Sequence, residues 1–340
     1  MLPNLAGFTY YPPRSLDEPG ESMPNNRSAA TPEVSVILCT YNPRTDYLAM
    51  ALRSIGAQSL GSHRFELVVV DNNSQPALEP APLERIAGVP VRVVKQPLQG
   101  LTHARVAGIG GTDAPLVVFV DDDNELALDY LERAVEIAEA RPEVGVFGGI
   151  TQGMLEQRVS GWKRCFLPQL GVRNHGLERI EGQGSHWGEW EPIGAGMVVR
   201  RIVADAFVRF LAEHCDAGSL GRQGAALMSG EDSLFSRLAH SLGLNGAYEP
   251  SLSLRHYISE SRLTARYLRR LSYGHGRSFV LLARLTGDDE VLEFPASPLR
   301  HIVGNFQHRF ASESLVGALS GYYWDRGFLD AVREIKSAAT

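Results

Sequence analysis

Cysteine is scarce in this 340-residue chain: Cys39, Cys165 and Cys215 form an odd set with no C-x-x-C spacing. That pattern excludes a disulfide framework and a zinc knuckle, and a reducing cytoplasm suits it best. Long apolar runs are missing as well. No stretch approaches the roughly 18 consecutive apolar residues of a membrane-spanning helix, and no basic segment followed by an apolar one opens the chain as a secretion signal would. Nor is there a surplus of positive charge. Lys and Arg total 33 against 39 Asp and Glu, a formal net charge of -6, whereas a general nucleic-acid binder needs a basic surplus to neutralise phosphates. Internal repeats are absent too, which removes solenoids and propellers.

What is present suits a soluble α/β protein. With 44% hydrophobic and 21% charged residues, the chain has enough apolar material for one large or two modest domains. Residues 1–32, rich in Pro, Asn, Ser and Gly and without period, read as a mobile or loosely docked leader. From Val34 the pattern changes to apolar runs alternating with amphipathic stretches, the mark of a parallel sheet built from βαβ units. Strands are expected at 34–39, 65–71, 91–95, 115–120 and 144–150, and helices at 45–58, 101–111 and 128–140. Residues 151–190, with Trp162, Trp187 and Trp190 but little period, predict long loops over the sheet face. A turn and strand follow over 191–201, then helices over 202–214 and 231–243, the second closed by Gly243. The 263–285 helix carries Arg266, Arg269, Arg270, Arg277 and Arg284 with no acid, beside Leu263, Leu271, Phe279, Val280 and Leu282. Such a helix can meet an anionic membrane or substrate, or be an ordinary solvated face.

The chemistry-bearing residues fall at the ends of these elements. In "PLVVFVDDDNEL" (115–126) a buried-type strand runs straight into Asp121, Asp122 and Asp123. Open α/β sheets place ligands at that end, and adjacent carboxylates repel unless a cation or a hydrogen-bond network offsets the repulsion. "CTYNPR" (39–44) puts Thr40, Tyr41 and Asn42 after the first strand, and "VVVDNNS" (68–74) ends the next with Asp71, whose carboxylate could accept from a base or ribose. Each is weak alone, because turns commonly use Asp, Asn and Ser. Glu231 and Asp232 open a helix, where acids also serve simply to offset the helix dipole. His256 and Arg262 follow in "LRHYISESR" (254–262). "GIGGTD" (108–113) follows a helix rather than a strand, which disfavours a dinucleotide-binding dehydrogenase.

Together these stretches, over roughly residues 34–285, resemble the GT-A glycosyltransferases of family 2. "VSVILCTYN" is similar to that family's opening strand and turn, "ELVVVDNNS" to its second strand with a nucleotide-binding aspartate, and "QGLTHARVAGI" (99–109) to its donor-side segment. "VFVDDDN" resembles its D-x-D segment, "IGAGMVVRR" its acceptor-side loop and "GEDSLFSRLAHSLG" its E-D helix. The D-D-D-N run, the GAG loop, the GED helix and a following His resemble a bacterial polysaccharide-assembly group. Two departures stand out: Asn72 replaces a second acid of many members, and 151–190 match nothing in the pattern.

The resemblance implies a GT-A catalytic domain over 33–260, with a nucleotide-sugar half (33–150) and an acceptor half (151–260), then a helical extension over 261–340. It implies inverting transfer of a sugar from a nucleoside-diphosphate sugar to the hydroxyl of a glycan or lipid-linked acceptor, in the cytoplasm or at the inner membrane face through 263–285. Thr40, Tyr41, Asn42, Asp71, Gly100, Arg105, Asp121 and Asp122 would form the donor site, Asp121 at the ribose, with Arg262 at the diphosphate. Asp122 is expected to point back into the protein, since alternate residues leaving a strand face opposite sides. Asp123 and His256 would hold Mn²⁺ or Mg²⁺. Asp232 would act as general base with Glu231 supporting it, the two roles being interchangeable at this stage. A sugar-1-phosphate nucleotidyltransferase is a second reading, although "CTYNPRTD" lacks the glycine-rich triphosphate loop. A non-catalytic nucleotide- or sugar-binding module is a third.

Overall fold

The computed structural model describes residues 31–156, 158–159, 161–184, 187–214, 218, 220–222, 227–292, 302–307 and 315–338. The expected leader lies outside them apart from Thr31 and Pro32, as does Cys215. One nine-stranded sheet organises the rest. Strands β1 (Val34–Thr40), β2 (Phe65–Asp71), β3 (Val91–Lys95) and β4 (Leu116–Asp121) pair in parallel in the order β3-β2-β1-β4. Thr40 sits opposite Asp71, and Cys39 opposite Asp121. Three strands thus end level, and the polar residues after each emerge along one edge.

The short β5 (Asn124–Leu126) and the long β6 (Val144–Leu155) come next in the chain, then β7 (Ile180–Gly182), β8 (Val198–Arg200) and β9 (Asn245–Ile258). β8 lies antiparallel between β4 and β6, and β9 runs parallel to β6. β5 and β7 run antiparallel to β9, so six strands share one direction and β5, β7 and β8 oppose them. This is the mostly parallel α/β arrangement expected. The 151–190 segment departs from the loops foreseen: β6 extends to Leu155 and β7 forms a further strand.

Strand alternation divides the core. Val36, Leu38, Val69 and Val118 face α1 (Thr45–Gly56), α2 (Pro80–Ala87) and α4 (Tyr130–Ala140) through Leu52, Leu83 and Leu131. Ile37, Val68, Val117 and Phe119 face α3 (Leu101–Gly110), α6 (Arg201–Glu213) and α7 (Glu231–Ser241) through Ala104, Phe207 and Phe235. The one-turn α5 (Gly161–Arg164) lies beyond β6. At Gly108, α3 approaches the sheet so closely that a Cβ would stand 2.4 Å from Ile37 Cγ2.

The helix foreseen over 263–285 is α8 (Ala265–Thr286), capped by the Thr264 hydroxyl accepting from the Tyr267 amide. It pairs with α9 (Leu315–Ala338). Most of its apolar side chains pack within the protein. Leu268 and Leu271 pack with Phe166, Leu170, Ile258 and Leu263, Val280 with Ala331 and Val332, and Leu282 joins the sheet core. The Phe279 ring lies 5.5 Å from that of Trp324. Arg277 holds Glu334 of α9 with two bonds, at 2.9 and 2.5 Å. Among the described residues, no helix is long and apolar enough to cross a membrane.

Candidate active site

A cavity of about 720 Å³ opens at the level edge of β1 and β4, between the sheet and the α8–α9 pair. Thr40, Tyr41, Gly100, Arg105, Asp121, Asp122, Asp123, Glu231, Asp232, His256 and Arg262 all border it, so the fold gathers most of the residues singled out in the sequence.

Two do not border it. Asn42 adopts φ 47°, donates its amide to Ser74 Oγ at 2.9 Å and accepts the Gln75 amide on Oδ1 at 2.8 Å. Asp71 is 2% exposed and accepts the Ser74 and Leu78 amides, each at 2.9 Å. Burial acts to raise its pKa, but these hydrogen bonds win and lower it. Both residues shape the loop after β2, their polar atoms turned onto neighbouring groups of that loop. Asn72 borders the cavity instead. Its Nδ2 donates to the carbonyls of Gln96 and Leu98 at 3.0 and 2.6 Å, while Oδ1 accepts the Gly100 amide at 2.8 Å. An ionised acid there could not donate, which explains the departure from a second carboxylate. The clamp fixes Gly100, at φ 139°, where α3 begins.

Asn124 does similar work in the acidic run. Its Oδ1 accepts the Asp121 amide at 3.1 Å and its Nδ2 donates to Asp123 Oδ1 at 3.0 Å. Asp122 does not turn back into the protein. The chain leaves the strand at Asp121 and enters a turn, so strand alternation ends there and Asp122 borders the cavity while accepting the Thr40 hydroxyl. Burial, and then the neighbouring Asp123, push the Asp122 carboxyl up to about 7.

Pairing of Asn124 with His256 across β5 and β9 brings the imidazole to Asp123. His256 Nε2 stands 3.4 Å from Asp123 Oδ2, and Arg262 Nη1 lies 2.8 Å from that oxygen and 3.1 Å from that nitrogen. Burial favours the neutral acid, yet His256 and Arg262 hold the Asp123 carboxyl down at about 2. A carboxylate and an imidazole thus converge on a point filled by a guanidinium, a cation in the place where an ion's charge would fall. The donor pair suits Mn²⁺ or Mg²⁺ completed by substrate oxygens and water. Among the described residues, no group of three or more His, Cys, Asp and Glu is arranged to hold an ion by protein ligands alone.

Glu231 and Asp232, inseparable in the sequence, occupy different surroundings. Glu231 is 3% exposed, ion-paired with buried Arg105 at 2.6 Å and bonded by the Thr102 hydroxyl at 2.6 Å. Burial raises its pKa against the opposing pull of Arg105. Glycines make room for this unit: a Cβ on Gly194 would lie 2.4 Å from Arg105 Nη2, and one on Gly221 2.3 Å from Glu231 Oε2. Arg105 is thereby held under the loop at Gly194. Asp232 is half-buried at the N-terminus of α7 and accepts the Gly194 and Ser233 amides, each at 3.2 Å. Its carboxylate faces the cavity with no cation paired to it among the printed contacts of the described residues. Buried Glu191 supports the next turn, accepting the Ser233 hydroxyl and pairing with Arg237 at 2.9 Å.

Sequence reasoning passed over Asn72 as a clamp, Asn124, Glu191, Gln169, Arg222, His275 and Trp324, all at the cavity or directly supporting it. Only Asn124, adjoining the acidic run, and His275, flanked by two glycines, carry a local signal.

The profile of a family described as Glycosyl transferase family 2 matches residues 35–207. A protein named as a glycosyltransferase, EpsH of Bacillus subtilis, is 31% identical over 110 residues, 32% of this chain and 31% of EpsH. The succinoglycan biosynthesis protein ExoM of Rhizobium meliloti is 23% identical over 261 residues, 75% of either chain. Among solved structures, S. aureus TarS is similar at a TM-score of 0.48 and 17% identity, covering 90% of this chain and 55% of TarS. TarS residues 1-349 in complex with UDP-GlcNAc give a TM-score of 0.46 at 14% identity, covering 90% of this chain and 92% of that one. The chain thus spans about a third of EpsH and just over half of TarS.

Proposed function

Since the chain belongs to glycosyl transferase family 2, we propose that it moves a sugar from a nucleoside-diphosphate sugar to an acceptor hydroxyl, with inversion at the anomeric carbon. The observation that carries this reading is the pairing of an acidic, cation-ready edge with Asp232, a carboxylate open to the same cavity. Asp232 takes the proton from the acceptor hydroxyl as its oxygen bonds to the anomeric carbon. The bond from that carbon to the diphosphate breaks, and its electron pair leaves with the nucleoside diphosphate. Glu231, neutralised against Arg105 and Thr102, positions Asp232 through the Gly194 loop. Thr40, Tyr41, Gly100 and Asp121 are assigned to the nucleotide, and Arg262 pivots from Asp123 to the diphosphate, whose oxygens suit a guanidinium fork. Asp123 and His256 are the residues that would hold Mn²⁺ or Mg²⁺, whose charge offsets that of the departing group.

The acceptor is assigned to a glycan or lipid-linked glycan in polysaccharide or glycolipid assembly, the field of ExoM's name, and the protein to the cytoplasm. Exposed Arg266, Arg269 and Arg270 allow electrostatic contact with an anionic membrane face, without insertion. The test is a donor panel headed by UDP-GlcNAc, incubated with Mn²⁺ or Mg²⁺, reading free nucleoside diphosphate. Release with at least one donor, abolished by EDTA and restored by the ion, is the expected result. Tight donor binding with no release under any condition would instead indicate a binding module, and full turnover in excess EDTA would remove the role given to Asp123 and His256.

A further inference from the structure

Neither the acidic edge nor the Asp232 corner uses the stretch Gly274-His275-Gly276 of α8. Both glycines are points of close approach. A Cβ on Gly274 would lie 2.2 Å from the Leu227 carbonyl oxygen, and one on Gly276 2.1 Å from that of Trp324. From the facing side, a Cβ on Gly327 of α9 would stand 2.0 Å from the Tyr273 carbonyl oxygen. Backbone meets backbone on both flanks of His275, which fixes where its side chain emerges. It emerges at the cavity, together with Arg222, Gln169 and, from α9, Trp324.

His275 is part-buried where it borders the cavity, and its ring makes no hydrogen bond among the described residues. Ring nitrogens open to the cavity in this way can bond a ligand or water there. Burial and then the Arg222 charge lower its pKa to about 4, with Asp232 acting the other way, so the ring is neutral near pH 7. A neutral imidazole presents one N–H donor and one bare nitrogen, the complement of a hydroxyl or of two neighbouring ones. The Trp324 indole stacks at 5.6 Å on Phe328, which braces it, and also borders the cavity. An aromatic surface beside hydrogen-bonding side chains suits a sugar ring, which has an apolar face and a hydroxyl rim.

Resting on the glycosyl-transfer reading above, we propose that the α8–α9 wall is the acceptor subsite for a carbohydrate. His275 hydrogen-bonds the hydroxyl offered to Asp232 or its neighbour on the ring, and Trp324 packs against the ring's apolar face.

The full chain, supplied with a nucleotide sugar that it turns over, is assayed with methyl glycosides and disaccharides as acceptor probes. At least one probe is expected to raise nucleoside diphosphate release saturably. His275→Ala then raises the acceptor KM at least about tenfold, equivalent to about 1.4 kcal/mol, while the donor KM moves less than about twofold. His275→Gln, which keeps a hydrogen-bonding side chain, recovers part of the loss. Should His275→Ala unfold, Trp324→Leu carries the same test with the same split expected. An unchanged acceptor KM, equal rises in both KM values, or no stimulation by any carbohydrate would overturn the subsite. No turnover of any nucleotide sugar would overturn the glycosyl-transfer reading and the subsite with it.

Discussion

Asn72 shows how one side chain decides the shape of the cavity's edge. Its amide makes three bonds to the 96–100 loop, two of them as donor. Asn72→Asp keeps the volume but turns both donations into contacts between a carboxylate and carbonyl oxygens. Thermal and urea unfolding should report a loss of about 1–3 kcal/mol, the cost of unsatisfied buried groups, with unchanged stability counting against the clamp. His275 supplies a pH signature. Its folded pKa of about 4 lies below the ordinary histidine value, so the unfolded chain binds the extra proton between about pH 6.5 and 4. The stability this contributes is present above about pH 6.5 and is lost as pH falls toward 4. His275→Gln should therefore show a flatter stability profile than the parent across that window, and superimposable profiles would contradict the assignment. At this scale the sequence was legible in residue type and only partly in role. Asp121, Asp123, Asp232 and His256 reach the cavity as expected. Asp71 and Asn42 look the same in the sequence, yet their polar atoms turn onto neighbouring amides, and direction is a property of the folded loop. Likewise, Glu231 and Asp232 separate only because Arg105, far earlier in the chain on α3, arrives beside one of them.

Elements were more legible than side chains. The apolar runs of β1, β2, β3 and β4 and the amphipathic α1, α4, α6, α7 and α8 carry clear periods, and each occurs within a few residues of its expected bounds. Missed were α2, a single short stretch opening with Pro80, and β9, whose polar alternation and Pro250 mask a 14-residue strand. β9 is the costliest omission, because its pairing with β5 is what delivers His256 to Asp123. Two glycines of α3 give a contrast that tests the packing of this helix on the sheet. A Cβ on Gly108 would be 2.4 Å from Ile37 Cγ2, whereas one on Gly110 would meet nothing within 4 Å. Gly108→Ala should destabilise by about 1–3 kcal/mol through overpacking. Gly110→Ala, two residues along, should be neutral or stabilise by up to about 1 kcal/mol, since alanine restricts the unfolded chain. Equal melting shifts for the two variants would mean that α3 does not rest on β1 as described.

On the scale of the whole molecule, the parallel half of the sheet supplies a row of level strand ends, and the remainder closes a cavity over it. The α8–α9 pair forms one wall of that cavity, and of it the sequence singled out only the 263–285 helix, as a face for an anionic membrane or substrate or as an ordinary solvated face. Its basic character survives folding while its apolar character does not, because amphipathic helices look alike whether their partner is a lipid surface or another helix. The account's central claim is that the two sides of the cavity divide the labour, donor binding at the acidic edge and proton removal at Asp232. The direct measurement is to titrate one hydrolysable nucleotide sugar into the parent and into Asp232→Asn by calorimetry, and to follow nucleoside diphosphate release from both with acceptor present. The account predicts donor Kd values within about twofold of each other and turnover reduced by about 10²- to 10⁴-fold in the variant, the usual worth of a general base. Retained turnover in a folded Asp232→Asn protein, or loss of donor binding in step with turnover, would contradict it.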